Sequence, residues 1–199
     1  MSNGWPVDLT QWQNSRMNDI SDTWQTLVRA SVDRKHPWRV VGFCTQAADG
    51  PDARNVILRK VFPSSRQLVF FTDVRSQKMQ QLAGCSRIML LFWNPQHNLQ
   101  LRLSGVASSE TDETLVDAYW ETVPEYARHD YGSVEAPGAV LSDSQAGNWH
   151  LATARNQFTV LNVHADAMDV LRLGRDGHDR KRFEWNDRQT QWTMATLMP

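Results

Sequence analysis

The sequence predicts a mainly β fold, an antiparallel barrel with helices packed on its outside. Strand-like segments recur between residues 39 and 195, and turn residues such as Asp-Gly, Gly and Pro separate them. Their short spacing favours hairpins over parallel crossovers. The 199 residues can bury a substantial core, so we expect a single domain over residues 1–199, with a helical segment over 1–35 packed on the barrel.

The first half of the chain predicts two helices and five strands. Apolar side chains at spacings of three and four indicate an amphipathic helix over residues 18–32. Strands are predicted over 39–45, 53–62 and 67–72, with turns at 47–51 and 63–65. A short helix over 73–83 has Asp73 or Ser76 as its N-cap and Gly84 as its stop. The apolar run 87–93 predicts a buried strand, and the alternating segment 99–108, with a bulge at Gly105, pairs back to it.

The second half predicts further helices and four strands. Helical patterns cover residues 111–120 and continue from Pro124 toward 131. Residues 132–148 are rich in Gly, Ser, Ala and Asp, and we interpret them as a long excursion, with a helix over 144–155; disorder is the alternative interpretation. Strands are predicted over 157–163, 167–173, 180–185 and 191–195.

Composition excludes several classes of function. The 21 Lys and Arg balance 22 Asp and Glu, which disfavours binding to nucleic acid or to an anionic membrane. The two cysteines and six histidines lack the spacing of a disulfide framework or a metal site. P-loop, dinucleotide-binding and G-x-S-x-G patterns do not occur. Because residues 1–13 do not resemble a secretory signal and no long apolar run occurs, we expect a cytoplasmic protein.

Cationic and amide side chains lie on several of the predicted strands and at one helix start. Ser76 and Lys78 begin a helix, where backbone N–H groups and a positive side chain favour an anion. Arginine binds phosphate through two donors, so phosphate is the natural ligand, although a lone arginine is usually only solvated. Phe71 or Trp93 could supply an apolar wall for a ring. The full set of polar groups is Arg54, Arg59, Lys78, Gln100 and Arg102.

In sequence order these residues resemble the pyridoxamine 5′-phosphate oxidase family of FMN-binding split β-barrel flavoproteins. The resemblance covers roughly residues 39–199. It is found in RNVILR at 54–59, Phe71-Thr72, Ser76 with Lys78, Gln100 five residues before Gly105, Arg182-Phe183, and the terminal Trp192, Leu197 and Pro199.

The resemblance implies an α+β, mainly β, FMN-binding split barrel that forms a homodimer, with FMN at the subunit interface. Arg182 would contact the flavin bound mainly by the other subunit. The implied cofactor-binding residues are Arg54, Asn55, Val56, Ile57, Leu58, Arg59, Phe71, Thr72, Arg75, Ser76, Gln77, Lys78, Gln100 and Arg182.

The implied contacts to a small-molecule substrate are Arg59, Tyr119, His178 and Arg180. The sequence departs from the family pattern at several of the implied phosphate and substrate contacts. Gln77 replaces an arginine, with Arg75 as a candidate for its charge. Val123 and Ala127 stand where the family has an arginine and a serine, and His178 and Arg180 occur in reversed order.

We therefore expect an FMN-dependent oxidoreductase, with oxidation of pyridoxamine or pyridoxine 5′-phosphate by O₂ as one reaction. The alternatives are a reductase of another substrate, of the flavin or F420 type, and a non-catalytic flavin-binding or flavin-sensing protein. The sequence identifies no catalytic residue and leaves the electron acceptor open.

Overall fold

A computed structural model describes residues 19–141, 149–175 and 177–199. Part of the predicted N-terminal segment (1–18) and part of the predicted excursion (142–148) lie outside the described residues, as does position 176 of the last predicted turns. In the described part, no helix has both the length and the apolar character needed to cross a membrane.

Eight antiparallel strands form one sheet that closes on itself. In sheet order the strands run β3, β2, β1, β4, β5, β6, β7 and β8, and β3 also pairs with β6, which closes a six-stranded barrel. Strands β7 and β8 extend the sheet beyond β6. The bounds are β1 Val40–Ala47, β2 Gly50–Phe62, β3 Gln67–Asp73, β4 Arg87–Asn94, β5 Leu99–Ser109, β6 Phe158–Arg172, β7 Asp179–Asn186 and β8 Gln191–Leu197.

The interior of the barrel is apolar because alternate residues of each strand point inward. Phe43, Phe70, Phe92 and Leu101 are fully or almost fully buried. Helix α1 (Ile20–Val32) adds Trp24 and Leu27 to the same core, as the predicted 3.6-residue period requires. Burial of these side chains stabilises the barrel by roughly 1.5–3 kcal/mol each.

Four shorter helices cover the ends and one side of the barrel. Helix α2 (Gln77–Gly84) follows β3, and helices α3 (Glu113–Glu121), α4 (Glu125–Arg128) and α5 (Ala154–Gln157) follow β5 or precede β6. A second apolar cluster, which includes Trp120, Tyr131 and Phe158, packs this group onto the outside of β3 and β6.

The mainly antiparallel β fold with a few helices is confirmed, and three local predictions were wrong. The apolar strand β4 is not buried throughout, because Met89, Leu91 and Trp93 face outward with 38–44% of their surface exposed. The strands predicted at 157–163 and 167–173 are one strand, β6. Gly50 and Pro51, predicted as turn, already belong to β2, opposite Ala47 and Gln46.

The irregularity in β6 explains the apparent break between its two halves. Ser104 of β5 pairs with Ala167, whereas Gly105 pairs with Ala165, so Asp166 is an extra residue in the ladder. The predicted bulge at Gly105 is thus confirmed. The predicted helix over 144–155 is described only from 149 onward, where a 3₁₀ turn at Leu151–Thr153 leads into α5.

Candidate functional site

Four polar side chains from three elements meet at one end of the barrel, and we call them the phosphate cradle: Arg54, Thr72, Ser76 and Lys78. The Lys78 ammonium donates to Thr72 Oγ1 at 2.8 Å and to Ser76 Oγ at 3.1 Å. The two hydroxyl oxygens are 3.3 Å apart. Strand β2 supplies Arg54 and strand β3 supplies Thr72, while Ser76 is the N-cap of α2 and Lys78 lies in its first turn.

The start of α2 leaves hydrogen-bond donors for another acceptor. Ser76 is the N-cap residue, but its side chain makes no capping hydrogen bond because its hydroxyl faces Thr72 and Lys78. The first N–H groups of an α-helix have no partner within the helix. Backbone N–H donors, two hydroxyls and an ammonium group are therefore gathered where β3 leads into α2. This combination of donors is suited to binding phosphate.

Burial and charge act together on Lys78. Burial lowers the pKa of its ammonium group from the ordinary 10.5, and the nearby Arg54 lowers it further, while Asp73 acts in the opposite direction. In the described part of the chain no carboxylate forms an ion pair with Lys78. A bound dianion would supply the missing charge partner.

Arg54 is held by residues that the sequence analysis did not single out. Its guanidinium donates to Thr45 Oγ1, to the Asp52 carboxylate and, at 3.0 Å, to Gln81 Oε1. Gln81 Nε2 in turn donates to Asp52 Oδ2 at 2.8 Å. These bonds keep the pKa of Asp52 below its ordinary value, with the Gln81 bond as the largest cause and Arg54 as a further one.

Two further predicted cofactor residues, Arg75 and Gln77, lie near the cradle. Arg75 donates to both carboxylate oxygens of Asp73 and to the backbone carbonyls of Ser133 and Val134. It therefore links the turn after β3 to the segment at residues 133–134. Arg75 is thus already paired with Asp73, and its substitution for the family arginine at position 77 stays a prediction. Gln77 itself is exposed in the first turn of α2.

The predicted stretch 54–59 alternates between the two faces of β2. Val56 and Leu58 point toward the interior, and Leu58 is fully buried, so only its backbone could contact a ligand. Asn55 and Ile57 face outward. A register shift between Leu58 and Lys60 follows, and Arg59 lies at that irregularity.

Arg59 lies beside an aromatic group on the outer side of the barrel. Its guanidinium carbon is 5.1 Å from the centre of the Phe71 ring, and the Phe71 and Tyr119 rings are 5.6 Å apart. Burial raises the pKa of Tyr119, with a further increase from Glu110. Burial also raises the pKa of Tyr131 to about 12, although Arg59 acts to lower it. The predicted substrate contacts Arg59 and Tyr119 are thus neighbours through Phe71.

The helix that carries Tyr119 offers no second cation to the same place. Val123 is buried and Ala127 is half-buried. The Arg128 guanidinium donates to the Val123 carbonyl at 3.1 Å and to the Trp120 carbonyl at 3.3 Å, and it pairs with Glu121. It therefore closes the end of α3 and is not available to a ligand.

Gln100, Arg180 and Arg182 share the outer face of the sheet, whereas Arg54 has the parity of the inward-facing Val56 and Leu58 on β2. Gln100 lies opposite Trp93, and Arg182 lies opposite Asp169. Arg182 pairs with Glu184, and Arg180 and Arg102 both bind Asp169. His178 is exposed, and its Nδ1 accepts from the Gly174 N–H at 3.3 Å. Around the closed barrel β3 and β6 lie between β2 and β7, and among the described residues no hydrogen bond or ion pair joins Gln100, Arg180 or Arg182 to Arg54.

The family model for the pyridoxamine 5′-phosphate oxidase FMN-binding domain matches residues 21–110, which include the phosphate cradle. Over these residues the chain is similar to that domain. The pyridoxamine 5′-phosphate oxidase FMN-binding domain binds FMN, and the donors gathered at Arg54, Thr72, Ser76 and Lys78 fit the phosphate of that cofactor.

Curated relatives of the same family match parts of the chain. A putative pyridoxamine 5′-phosphate oxidase of Caenorhabditis elegans is 35% identical over 78 residues, 39% of this chain, and the chain spans 33% of its length. A pyridoxine/pyridoxamine 5′-phosphate oxidase of Gloeothece citriformis is 27% identical over 174 residues, which cover 78% of this chain and 76% of that protein.

Solved structures show the same fold at low sequence identity. A pyridoxamine 5′-phosphate oxidase-related, FMN-binding protein of Nostoc punctiforme has a TM-score of 0.71 at 20% identity, covering 89% of this chain and 96% of that chain. PhzG of Burkholderia lata, in complex with tetrahydrophenazine-1-carboxylic acid, has a TM-score of 0.72 at 18% identity and covers 98% of both chains. The fold is that of the FMN-binding split barrels.

Proposed function

We propose that this chain is an FMN-dependent oxidoreductase in which the phosphate cradle holds the cofactor phosphate. The observation that supports this most is the position of Lys78, which is partly buried against two hydroxyls with no carboxylate partner in the described chain. A buried ammonium group without a counter-ion is costly unless a ligand supplies the charge. Lys78 also lies within residues 21–110, which match the model of an FMN-binding domain.

Each cradle residue has a separate part in this proposal. Arg54 and Lys78 neutralise the phosphate, Thr72 and Ser76 donate hydroxyl hydrogen bonds, and the first N–H groups of α2 complete the set. The backbone of residues 55–58 and the Phe71 side chain are proposed to contact the rest of the cofactor in the same chain, and Gln100 is proposed to contact the cofactor of the second copy. FMN supplies hydride acceptance, while the protein supplies position and electrostatics.

A second copy of the chain is part of the proposal. Arg182 faces outward on β7, with β6 and β3 between it and β2, whereas Arg54 shares the parity of the inward-facing Val56 and Leu58. The outward side chains of β4 leave an apolar surface on the face that also contains Gln100 and Arg182. Packing of two such faces would bury this surface and bring Arg182 to the partner's cofactor.

For the substrate we propose two alternatives. Oxidation of a vitamin B6 phosphate by O₂ would use Arg59 and Tyr119, which are close together. The alternative is an FMN oxidoreductase or flavin-binding protein with another substrate. Val123, Ala127 and Arg128 favour it, because this described segment directs no cation toward Tyr119. The second cation beside Tyr119 is Lys60 of β2, whose Nζ lies 5.0 Å from the centre of the Tyr119 ring.

Purified protein loaded with FMN tests the proposal directly. Arg54→Ala should weaken FMN binding by about 1.5–3 kcal/mol, which is roughly 10- to 150-fold in Kd, because a charge-assisted contact to phosphate is lost. Flavin fluorescence quenching measures this Kd. Arg87→Ala is the matched control, since Arg87 also pairs with an aspartate, Asp166, but on the exposed sheet face.

Wild-type protein that is colourless after incubation with excess FMN and removal of the free cofactor would contradict the proposal. Equal FMN affinity in Arg54→Ala and wild type would contradict it as well. Oxygen consumption with pyridoxamine 5′-phosphate then separates a vitamin B6 phosphate oxidase from the alternatives.

A further inference from the structure

Asp169 lies on the outer face of the barrel and holds two arginines from different strands. Its carboxylate accepts from Arg102 Nη2 at 2.7 Å, from Arg180 Nη2 at 2.8 Å and from Arg180 Nε at 3.0 Å. The Asp169 side chain is 9% exposed, whereas the Arg102 and Arg180 side chains are 37% and 26% exposed. We call these three residues the Asp169 cluster. A nearly buried anion thus fixes two cations that solvent can still reach.

The Asp169 cluster retains one positive charge. Two guanidinium groups face one carboxylate, and the neighbouring Arg182 is already balanced by Glu184. Arg87, on the same face, is likewise balanced by Asp166. The surplus charge is therefore local to Arg102 and Arg180.

Several donors of the cluster have no acceptor in the described part of the chain. Arg102 Nε is buried without a hydrogen-bond partner. The Nη1 groups of Arg102 and Arg180 also make no hydrogen bond to any described residue. A purely structural ion pair would be expected to satisfy its buried donors, because an unpaired buried donor is costly.

An apolar surface adjoins the cluster. Leu91 lies directly opposite Arg102 across the β4–β5 ladder, and Trp93 lies opposite Gln100 in the same ladder. Leu91 and Trp93 are 42% and 44% exposed. Paired residues of antiparallel strands project from the same face, so the indole and the guanidinium groups border one surface.

We propose that Arg102 and Arg180, positioned by Asp169, form a binding site for a ring compound that bears a carboxylate. One surplus positive charge matches a monoanion, whereas a phosphate dianion would leave a negative charge unbalanced. The planar guanidinium fork matches the planar carboxylate, and Leu91 and Trp93 provide the surface for the ring. The inference rests on the proposed function: in the proposed dimer this face would lie where the two copies meet, beside the partner's cofactor, so the ring compound would be the substrate class of the same oxidoreductase.

Calorimetric titration of FMN-loaded protein with benzoate tests the site, with benzamide as the neutral analogue. Wild type and the control Arg87→Ala should bind benzoate with the same affinity and should bind benzamide at least tenfold more weakly. Arg102→Ala and Arg180→Ala should each weaken benzoate binding tenfold or more, because a charged hydrogen-bond donor is lost. Equal benzoate affinity in these two variants and wild type would overturn the proposal.

Asp169→Asn separates positioning from simple attraction. This variant raises the net charge of the site but releases both guanidinium groups, so benzoate affinity should fall. A rise in affinity would show that charge alone attracts the ligand and would overturn the positioning role of Asp169. Circular dichroism and FMN content confirm that the variant is folded. If benzoate is not bound and Arg102→Ala only changes the mass measured by light scattering, the cluster serves contact between copies and the carboxylate site is wrong.

The same samples distinguish this inference from the proposed function. Wild-type protein that takes up no FMN but binds benzoate through Arg102 and Arg180 would contradict the proposed function and support the carboxylate site. Protein that binds FMN through Arg54 but shows no benzoate binding would do the reverse.

Discussion

At the scale of single residues, the charge state of Lys78 connects the cradle with pH. Its pKa is lowered in the protein without ligand, chiefly by burial. A phosphate dianion next to the amine would favour the charged form and raise this pKa again. Binding of the cofactor phosphate at the proposed site would therefore be coupled to uptake of a proton by Lys78.

FMN affinity should decrease as the pH rises from about 7.5 toward 10, where the phosphate itself stays doubly charged. The loss begins near the lowered Lys78 pKa, below the ordinary 10.5. Lys78→Arg keeps its charge over this range, so its affinity should stay level. Fluorescence titrations at several pH values measure both curves, and parallel curves would contradict the role of Lys78.

The same shift has the opposite effect on the protein without FMN. The unfolded chain keeps the Lys78 proton up to the ordinary 10.5, whereas the folded chain loses it at lower pH. Unfolding between these two values takes up a proton, so the contribution of Lys78 to the free energy of unfolding rises with pH there.

The sequence predicted the four residues of the phosphate cradle but not the residues that hold Arg54 in place. Arg54, Thr72, Ser76 and Lys78 were predicted together, and the structure places them together. Asp52 precedes Arg54 by two positions on the same strand, and this spacing was a usable signal that they share a face. Gln81 and Thr45 could not be predicted, because their contacts to Arg54 depend on how α2 packs against β1.

At the scale of elements, the ladder between β5 and β6 depends on Gly105. A Cβ atom at this position would lie 2.2 Å from the His164 carbonyl oxygen, too close for any side chain. The backbone is in the way, so a rotamer change cannot relieve the clash. The bulge at Asp166 and the glycine therefore occur together at one point of the barrel.

Gly105→Ala should lower the free energy of unfolding by about 1–3 kcal/mol, because the two strands must separate locally. Gly84→Ala is the control: nothing lies within 4 Å of its added Cβ, and this helix residue should tolerate alanine or gain a few tenths of a kcal/mol or more. Urea denaturation measures both. Equal stability of Gly105→Ala and wild type would show that the ladder can adjust.

Element boundaries illustrate what local patterns can and cannot predict. The period of α1 and the alternation of β5 were correctly predicted from the sequence. The apolar run of β4 gave no sign that one of its faces is open, because every outward residue is itself apolar. The two-part pattern of β6 came from a bulge, which interrupts alternation without ending the strand.

At the scale of the whole molecule, the outward residues of β4 leave an apolar face on the closed barrel. Met89, Leu91 and Trp93 follow one another on this face. Exposed apolar surface of this kind is typical of contact with a partner, and the proposed partner is a second copy.

Met89→Glu should convert the proposed dimer into a monomer, because a charge would be buried in the contact without a partner. Light scattering coupled to size exclusion measures the mass. Tyr126→Glu is the control, since Tyr126 is exposed on α4, away from this face. A monomeric wild type, or a Met89→Glu variant that remains dimeric, would contradict the proposed interface.

The pairing of β3 with β6 also determines how the chain must fold. Gln67 pairs with His164 and Asp73 pairs with Phe158, so closure joins segments that are far apart in sequence. Folds dominated by such distant contacts form slowly, on a scale of milliseconds to seconds. Every cradle residue, by contrast, lies between positions 54 and 78, within a single hairpin and the helix that follows it. The element that would hold the cofactor is therefore local in the chain, and the barrel around it is completed only when a distant strand arrives.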